Sequence, residues 1–187
     1  MKRLFAAIAL KPGKEFIITY TEFQKTLKNE RITWVGINNM HLTIKFFGET
    51  DERRIPSIAN ALKNGAAQIP SFGLLFNQTG VFGSKYNPKV IWLGAEVQPI
   101  LNQLVEMIKV ELEKEGFGYD RQNFVPHLTL GRIRNISDKV LFQNVMDNFR
   151  NAFLLDQEIT ALHLFESALT PKGPIYSQLN TIVLKQQ

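Results

Sequence analysis

His41-Leu42-Thr43-Ile44 and His127-Leu128-Thr129-Leu130 differ only in their last residue, and together they hold two of the three histidines in the 187-residue chain. Each alternates polar with apolar side chains at a period of two, the pattern of a strand with one buried face. The histidine and threonine of each copy share one face, and Leu42 or Leu128 points to the other. Nearly half the chain separates the copies, as it would if each half supplied one equivalent strand to a shared site. Internal duplication is the simplest account, although the halves otherwise show little similarity.

Outward from these strands, apolar β-prone segments recur at Leu4 to Leu10, Ile32 to Ile37, Phe72 to Val81, Val90 to Ala95, Ala152 to Phe165 and Tyr176 to Leu184. The motif strands themselves extend over His41 to Phe47 and Val125 to Ile133. Amphipathic stretches near 14–29, 51–66, 98–115 and 137–150 read as helices, the third with an apolar stripe through Ile100, Leu101, Leu104, Val105, Ile108 and Leu112. Asp51 and Ser137 are expected N-caps, and Gly116 and Gly118 end the third helix. The stretch VFGSKYNPK is expected to be a basic loop between two strands. Turns as short as Gly36-Ile37-Asn38-Asn39 cannot make parallel crossovers, so the sheets should be mostly antiparallel. The expected fold is α+β and bilobal: two pseudo-symmetric antiparallel sheets, flanked by helices, around a central cleft. No low-complexity linker divides the chain, and residues 1–187 read as one domain of two intertwined lobes.

Composition narrows the chemistry. The absence of cysteine excludes disulfides, thiolate metal sites and thiol nucleophiles. No apolar run reaches the length of a membrane helix, and MKRLFAAIAL is too short an apolar stretch for a signal peptide, so a cytoplasmic protein without membrane attachment is expected. The net charge of +5 favours polyanionic partners.

Two imidazoles and two hydroxyls converging on one cavity suit a phosphate. Each threonine can donate to a nonbridging oxygen, one imidazole can take a proton from attacking water, and the other can protonate the leaving oxygen. Imidazole titrates near pH 6.5, so both protonation states are within reach at neutral pH. Neither motif has the ligand spacing of a zinc helix, so no metal and no cofactor is expected.

On these motifs, together with Arg3-Leu4-Phe5-Ala6-Ala7-Ile8, Trp34-Val35, VIWLGAE, FVPHLTLGRIR and LHLFESALTPKGPIYSQL, the chain resembles the LigT-like branch of the 2H phosphoesterases. That branch is described as RNA 2′,3′-cyclic phosphodiesterases and, historically, 2′-5′ RNA ligases. The resemblance implies metal-independent hydrolysis of RNA 2′,3′-cyclic phosphate ends to 2′-phosphomonoesters, with His41 as general acid and His127 as general base. The residues alone do not tell which histidine is which. Thr43 and Thr129 would hold the phosphate oxygens, and Tyr176 matches a family position near the cleft. The implied partner is RNA with cyclic phosphate ends, with tRNA fragments and small cyclic nucleotides as candidate substrates, and the chain is expected to be a monomer. Reversible 2′-5′ ligation at the same site and a noncatalytic nucleotide- or RNA-phosphate-binding module are the rival readings.

Arg132 matches an arginine that commonly follows the second motif, where it would clamp the phosphate or stack on a base. A regular strand turns it away from His127, so that role requires a bend or bulge near Gly131; otherwise it makes a surface salt bridge. Lys45 shares the face of His41 and Thr43 and either reaches the cleft or snorkels to solvent. Lys85, Tyr86 and Lys89 are candidates for contacts to flanking RNA. His163 lacks a threonine two residues on and is read as a structural strand histidine. Pro126 has no amide to donate, which suggests that the second motif starts its strand there or lies beside an irregular pairing.

Overall fold

The two motif strands lie side by side in the computed structural model, which describes residues 1–84, 86–118, 124–171 and 173–186. Among the described residues the chain forms nine strands and four α-helices. In order these are β1 (Lys2–Ala9), α1 (Lys14–Thr26), β2 (Arg31–Trp34), β3 (His41–Thr50), α2 (Ile55–Ala66), β4 (Phe72–Ser84), β5 (Asn87–Ala95), α3 (Pro99–Lys114), β6 (His127–Asn135), α4 (Lys139–Asn148), β7 (Leu155–Ile159), β8 (Ala161–Thr170) and β9 (Gly173–Val183). Single turns of 3-10 helix occupy Ile37–Asn39 and Glu52–Arg54.

All strand pairings between these elements are antiparallel, in the order β7-β4-β5-β6-β3-β1-β8-β9, with β2 paired to β6. The expected two antiparallel sheets are present as the halves of this array. One comprises β7, β4, β5, β6 and β2, the other β3, β1, β8 and β9. Among the described residues they are joined by one pair, Leu42 opposite Leu128. Both leucines are essentially inaccessible, and they fall at the centre of the pseudo-twofold relation between the motifs.

Alternation sets the two faces. Leu42 and Ile44 of β3, Leu128 and Leu130 of β6, Leu4, Ala6 and Ile8 of β1, and Leu162 and Leu164 of β8 belong to one continuous core with the inner faces of the helices. Of the stripe predicted for α3, Leu101, Leu104, Val105, Ile108 and Leu112 are buried, and Ile100 is half-buried against the core. Its end is fixed by Gly116, whose φ of 75° lets its amide and that of Phe117 return to the Glu113 and Leu112 carbonyls. No described helix is long and apolar enough to cross a membrane.

Three expectations need correction. The segment from 152 to 165 is two strands: Ile159 pairs with Phe72 on β4, while Ala161, two residues on, pairs with Val183 on β9. Consecutive strands therefore serve opposite ends of the array. Most of VFGSKYNPK is hairpin rather than loop, since Val81–Ser84 and Asn87–Lys89 belong to β4 and β5. The N-cap of α4 is Asp138, which accepts from the Leu141 amide at 2.8 Å; Ser137 instead donates its amide and hydroxyl to the buried Glu30 carboxylate. Asp51 caps the 3-10 turn that leads into α2, accepting from the Arg53 amide, while the N-cap position of α2 itself is Arg54.

Candidate active site

The pairing of Leu42 with Leu128 fixes what lies on the opposite face. In an antiparallel ladder its neighbours bring Thr43 across from His127 and His41 across from Thr129. Beyond that one pair the strands part, and the gap opens into a hollow of about 710 Å³ lined by His41, Thr43, Arg132 and Tyr176.

The two imidazoles are held alike. His41 Nδ1 lies 2.7 Å from the Asn39 carbonyl oxygen, and His127 Nδ1 lies 2.7 Å from the Val125 carbonyl oxygen. A carbonyl can only accept, so each Nδ1 carries a proton and each neutral ring leaves Nε2 as a free lone pair. Aromatic rings fix the orientation further. Phe5 and Tyr176 flank His41 at 5.0 and 5.3 Å between centroids, and Phe82 stands edge-on to His127 at 4.8 Å.

Burial pulls the His41 pKa below the ordinary 6.5; the Asn39 hydrogen bond opposes this, and the positive charges of Arg132 and His127 add to it. His127 is shifted the same way, by burial and by Arg132, against its bond to Val125. Arg132 thus acts on both rings. Neither the Thr43 nor the Thr129 hydroxyl is hydrogen-bonded to a described residue, so both are available to an incoming anion.

Arg132 reaches this face because β6 bulges. Against β5, Thr129 pairs with Trp92 and Gly131 with Ile91, which leaves Leu130 as the extra residue. The less buried positions of β6 include His127 and Thr129 before the bulge and Arg132 and Arg134 after it; of these four, Arg132 and Arg134 line the hollow, and His127 and Thr129 are not among its lining residues. Gly131 is the residue that permits the close packing: a Cβ there would stand 2.8 Å from Ile32 Cγ2 and 2.9 Å from Trp34 Cε3. The freed Leu130 carbonyl accepts from the Val35 amide at 2.9 Å and from the buried Tyr20 hydroxyl at 2.7 Å.

The remaining candidates separate. Tyr176 lies against His41 in the cleft, and burial raises its hydroxyl pKa against the lowering effects of Arg132 and Arg3. Lys45 donates to the Gly118 carbonyl at 2.8 Å. Tyr86 is 80% exposed and lines a different hollow, against α4, and Lys89 is exposed on the β4–β5 hairpin. Lys85 lies outside the described residues. His163 contacts the Thr181 hydroxyl at 3.2 Å. Sequence reasoning missed Arg3 and Arg134, which line the hollow, and the carbonyls of Asn39 and Val125. The carbonyls had one legible signal, their position two residues before each histidine.

The fold and the paired motifs are those of a phosphoesterase class: the chain belongs to the LigT like Phosphoesterase family, whose model matches twice, over residues 10–92 and 93–176. Each match contains one motif, in keeping with an internal duplication. Among individual proteins the chain is similar to the RNA 2′,3′-cyclic phosphodiesterase of Thermotoga maritima, with 37% identity over 79% of this chain and 76% of that one. It is similar also to the RNA 2′,3′-cyclic phosphodiesterase of Methanocaldococcus jannaschii, with 34% identity over 93% and 96%. Of solved structures, TT0787 of Thermus thermophilus matches with a TM-score of 0.78 and 25% identity over 99% of both chains. E. coli LigT in its apo form matches with a TM-score of 0.74 and 24% identity over 99% of this chain and 98% of that one, a likeness of fold.

Proposed function

We propose that this chain hydrolyses RNA 2′,3′-cyclic phosphate ends to 2′-phosphomonoesters without a metal. The observation that carries the reading is the matched fixation of two imidazoles on one face, each with Nδ1 tied to a backbone carbonyl and Nε2 free. The relatives named RNA 2′,3′-cyclic phosphodiesterase supply the reaction.

In the proposed reaction His127 Nε2 takes a proton from water as the water oxygen bonds to phosphorus. The P–O3′ bond breaks, and His41, protonated at Nε2, gives its proton to the departing 3′ oxygen. Thr43 and Thr129 donate to nonbridging oxygens, and the Arg132 guanidinium offsets the charge that grows on them. A site assembled from hydroxyls, imidazoles and a guanidinium attracts an anion, and its fixed positive charge disfavours a metal cation. Both motifs come from one chain, and β8 and β9 complete the half that begins with β1, so residues 1–187 act as one unit and a monomer carries the whole site.

The test is incubation of an oligonucleotide ending in a 2′,3′-cyclic phosphate with the protein in excess chelator. A 2′-phosphate end is expected, and its formation should disappear in His41→Ala and His127→Ala variants that retain the wild-type circular dichroism. No product from the wild type, or undiminished product from either variant, overturns the reading.

A further inference from the structure

The cleft holds more positive charge than one terminal phosphate uses. Arg3, Arg132 and Arg134 all line the hollow beside His41, and among the described residues no carboxylate lines it. None of the three guanidinium groups makes an ion pair or a hydrogen bond to another described residue. Glu49, opposite Arg3 in the β1–β3 register, is not paired with it. Unpaired guanidinium groups gathered in one place repel one another, an arrangement that favours binding of several negative charges.

Their spacing indicates what those charges are. Arg132 and Arg134 stand on the same face of β6 after the bulge, two residues and therefore about 6.7 Å apart along the strand. That is close to the separation of successive phosphates on a nucleotide chain. Arg3 closes the hollow from the β1 side, with its guanidinium 5.0 Å above the Phe46 ring, which is 46% exposed at the rim. Arg3 and Arg132 line the same hollow as Tyr176, and both positive charges lower the pKa of its hydroxyl against the effect of burial.

Resting on the function proposed above, we infer that Arg134 and Arg3 form a subsite for the phosphate on the 5′ side of the terminal nucleoside, so that the site selects oligonucleotides over mononucleotides. Arg132 serves the cyclic phosphate, and the other two arginines serve the next phosphate along the chain. A cyclic mononucleotide lacks that group and leaves the subsite empty.

The experiment compares Arg3→Gln and Arg134→Gln with wild type in two assays. In the first, KM is measured on a trinucleotide with a 2′,3′-cyclic end and on a 2′,3′-cyclic mononucleotide. In the second, affinity for the corresponding 2′-phosphate-ended trinucleotide and 2′-nucleotide is measured by titration across a salt series. Each substitution should raise the trinucleotide KM about tenfold and leave the mononucleotide KM unchanged. The slope of log affinity against log salt for the trinucleotide should fall in each variant, and by about 0.7 once both arginines that serve the one phosphate are replaced. Arg134→Lys should keep the salt slope, because it keeps the charge. Equal losses on both ligands, or no loss on either, overturn the subsite. The titration decides this even if the wild type hydrolyses neither substrate, an outcome that would instead refute the catalytic reading.

Discussion

The Tyr20 hydroxyl lies 2.7 Å from the Leu130 carbonyl oxygen, across 110 residues of sequence, at the bulge that turns Arg132 into the cleft. It lies 2.9 Å from the Val35 carbonyl as well, and burial raises its pKa far above the ordinary range, so it stays a donor at all working pH values. A helix residue thus ties the two irregular segments beside the active site to each other. Tyr20→Phe should cost about 1–2 kcal/mol of stability, from a buried carbonyl left with a poorer partner. At temperatures where the variant is fully folded, kcat/KM should still fall about tenfold, because in the proposed reaction a small displacement of Arg132 would misplace the charge it offers to phosphate. Urea unfolding and steady-state assays separate the two effects; a stability loss with unchanged kcat/KM would confine Tyr20 to the core.

Gly131 gives a second test of the same region. Adding a methyl group brings it within 3 Å of Ile32 and Trp34, both packed against the core, so Gly131→Ala should destabilise by about 1–3 kcal/mol. The strain falls between Leu130 and Arg132, and the variant should lose activity on any phosphodiester substrate in proportion to the displacement of Arg132. A crystal structure of the variant, or its unfolding midpoint, checks this directly; wild-type stability would mean that β2 yields more easily than its pairing with β6 suggests.

The motifs were legible because a period of two is a property of neighbouring residues, and both histidines and both threonines fall on one face as that period requires. Arg132 was legible only conditionally. Its parity is wrong for a regular strand, and the sequence marks the bulge by a glycine without stating where the extra residue falls. The break between β7 and β8 was hidden for a different reason, since Glu158-Ile159-Thr160-Ala161 contains no glycine or proline and the change of partner is a tertiary event. One local trace exists: the buried positions shift from odd, Leu155 and Ile159, to even, Leu162 and Leu164. Arg3 and Arg134 were missed because convergence of β1 with β6 across the cleft depends on the whole strand order.

Glu30 offers a prediction away from the site. Burial pushes its carboxyl pKa up, but donation from the Ser137 amide and hydroxyl and the Asp138 amide outweighs this and holds it below the ordinary carboxylate value. A lowered folded-state pKa means that its stabilising effect is complete above the unfolded value near 4.3 and is lost as pH falls through the folded one. Glu30→Ala should cost about 2–3 kcal/mol at pH 7, where three donors lose a charged acceptor at the start of α4. The gap between variant and wild type in urea midpoint should close as pH is lowered below about 4. A gap that stays constant to acid pH would show that the loss is one of packing alone.

The pH profile tests the histidine pair itself. The base must be neutral, so activity rises with pH through its pKa; the acid must be protonated, so activity falls above its own. Both free-protein values lie below the ordinary 6.5, and the bell in kcat/KM should therefore peak on the acid side of that value. A bound phosphate anion stabilises the imidazolium form, so the bell in kcat should sit at higher pH. Arg132 depresses both histidines by its charge, and Arg132→Gln removes that effect. The variant should lose at least about tenfold in kcat/KM while its profile moves to the alkaline side. A profile that stays in place, or moves toward acid, would mean that the guanidinium does not face the two rings in solution.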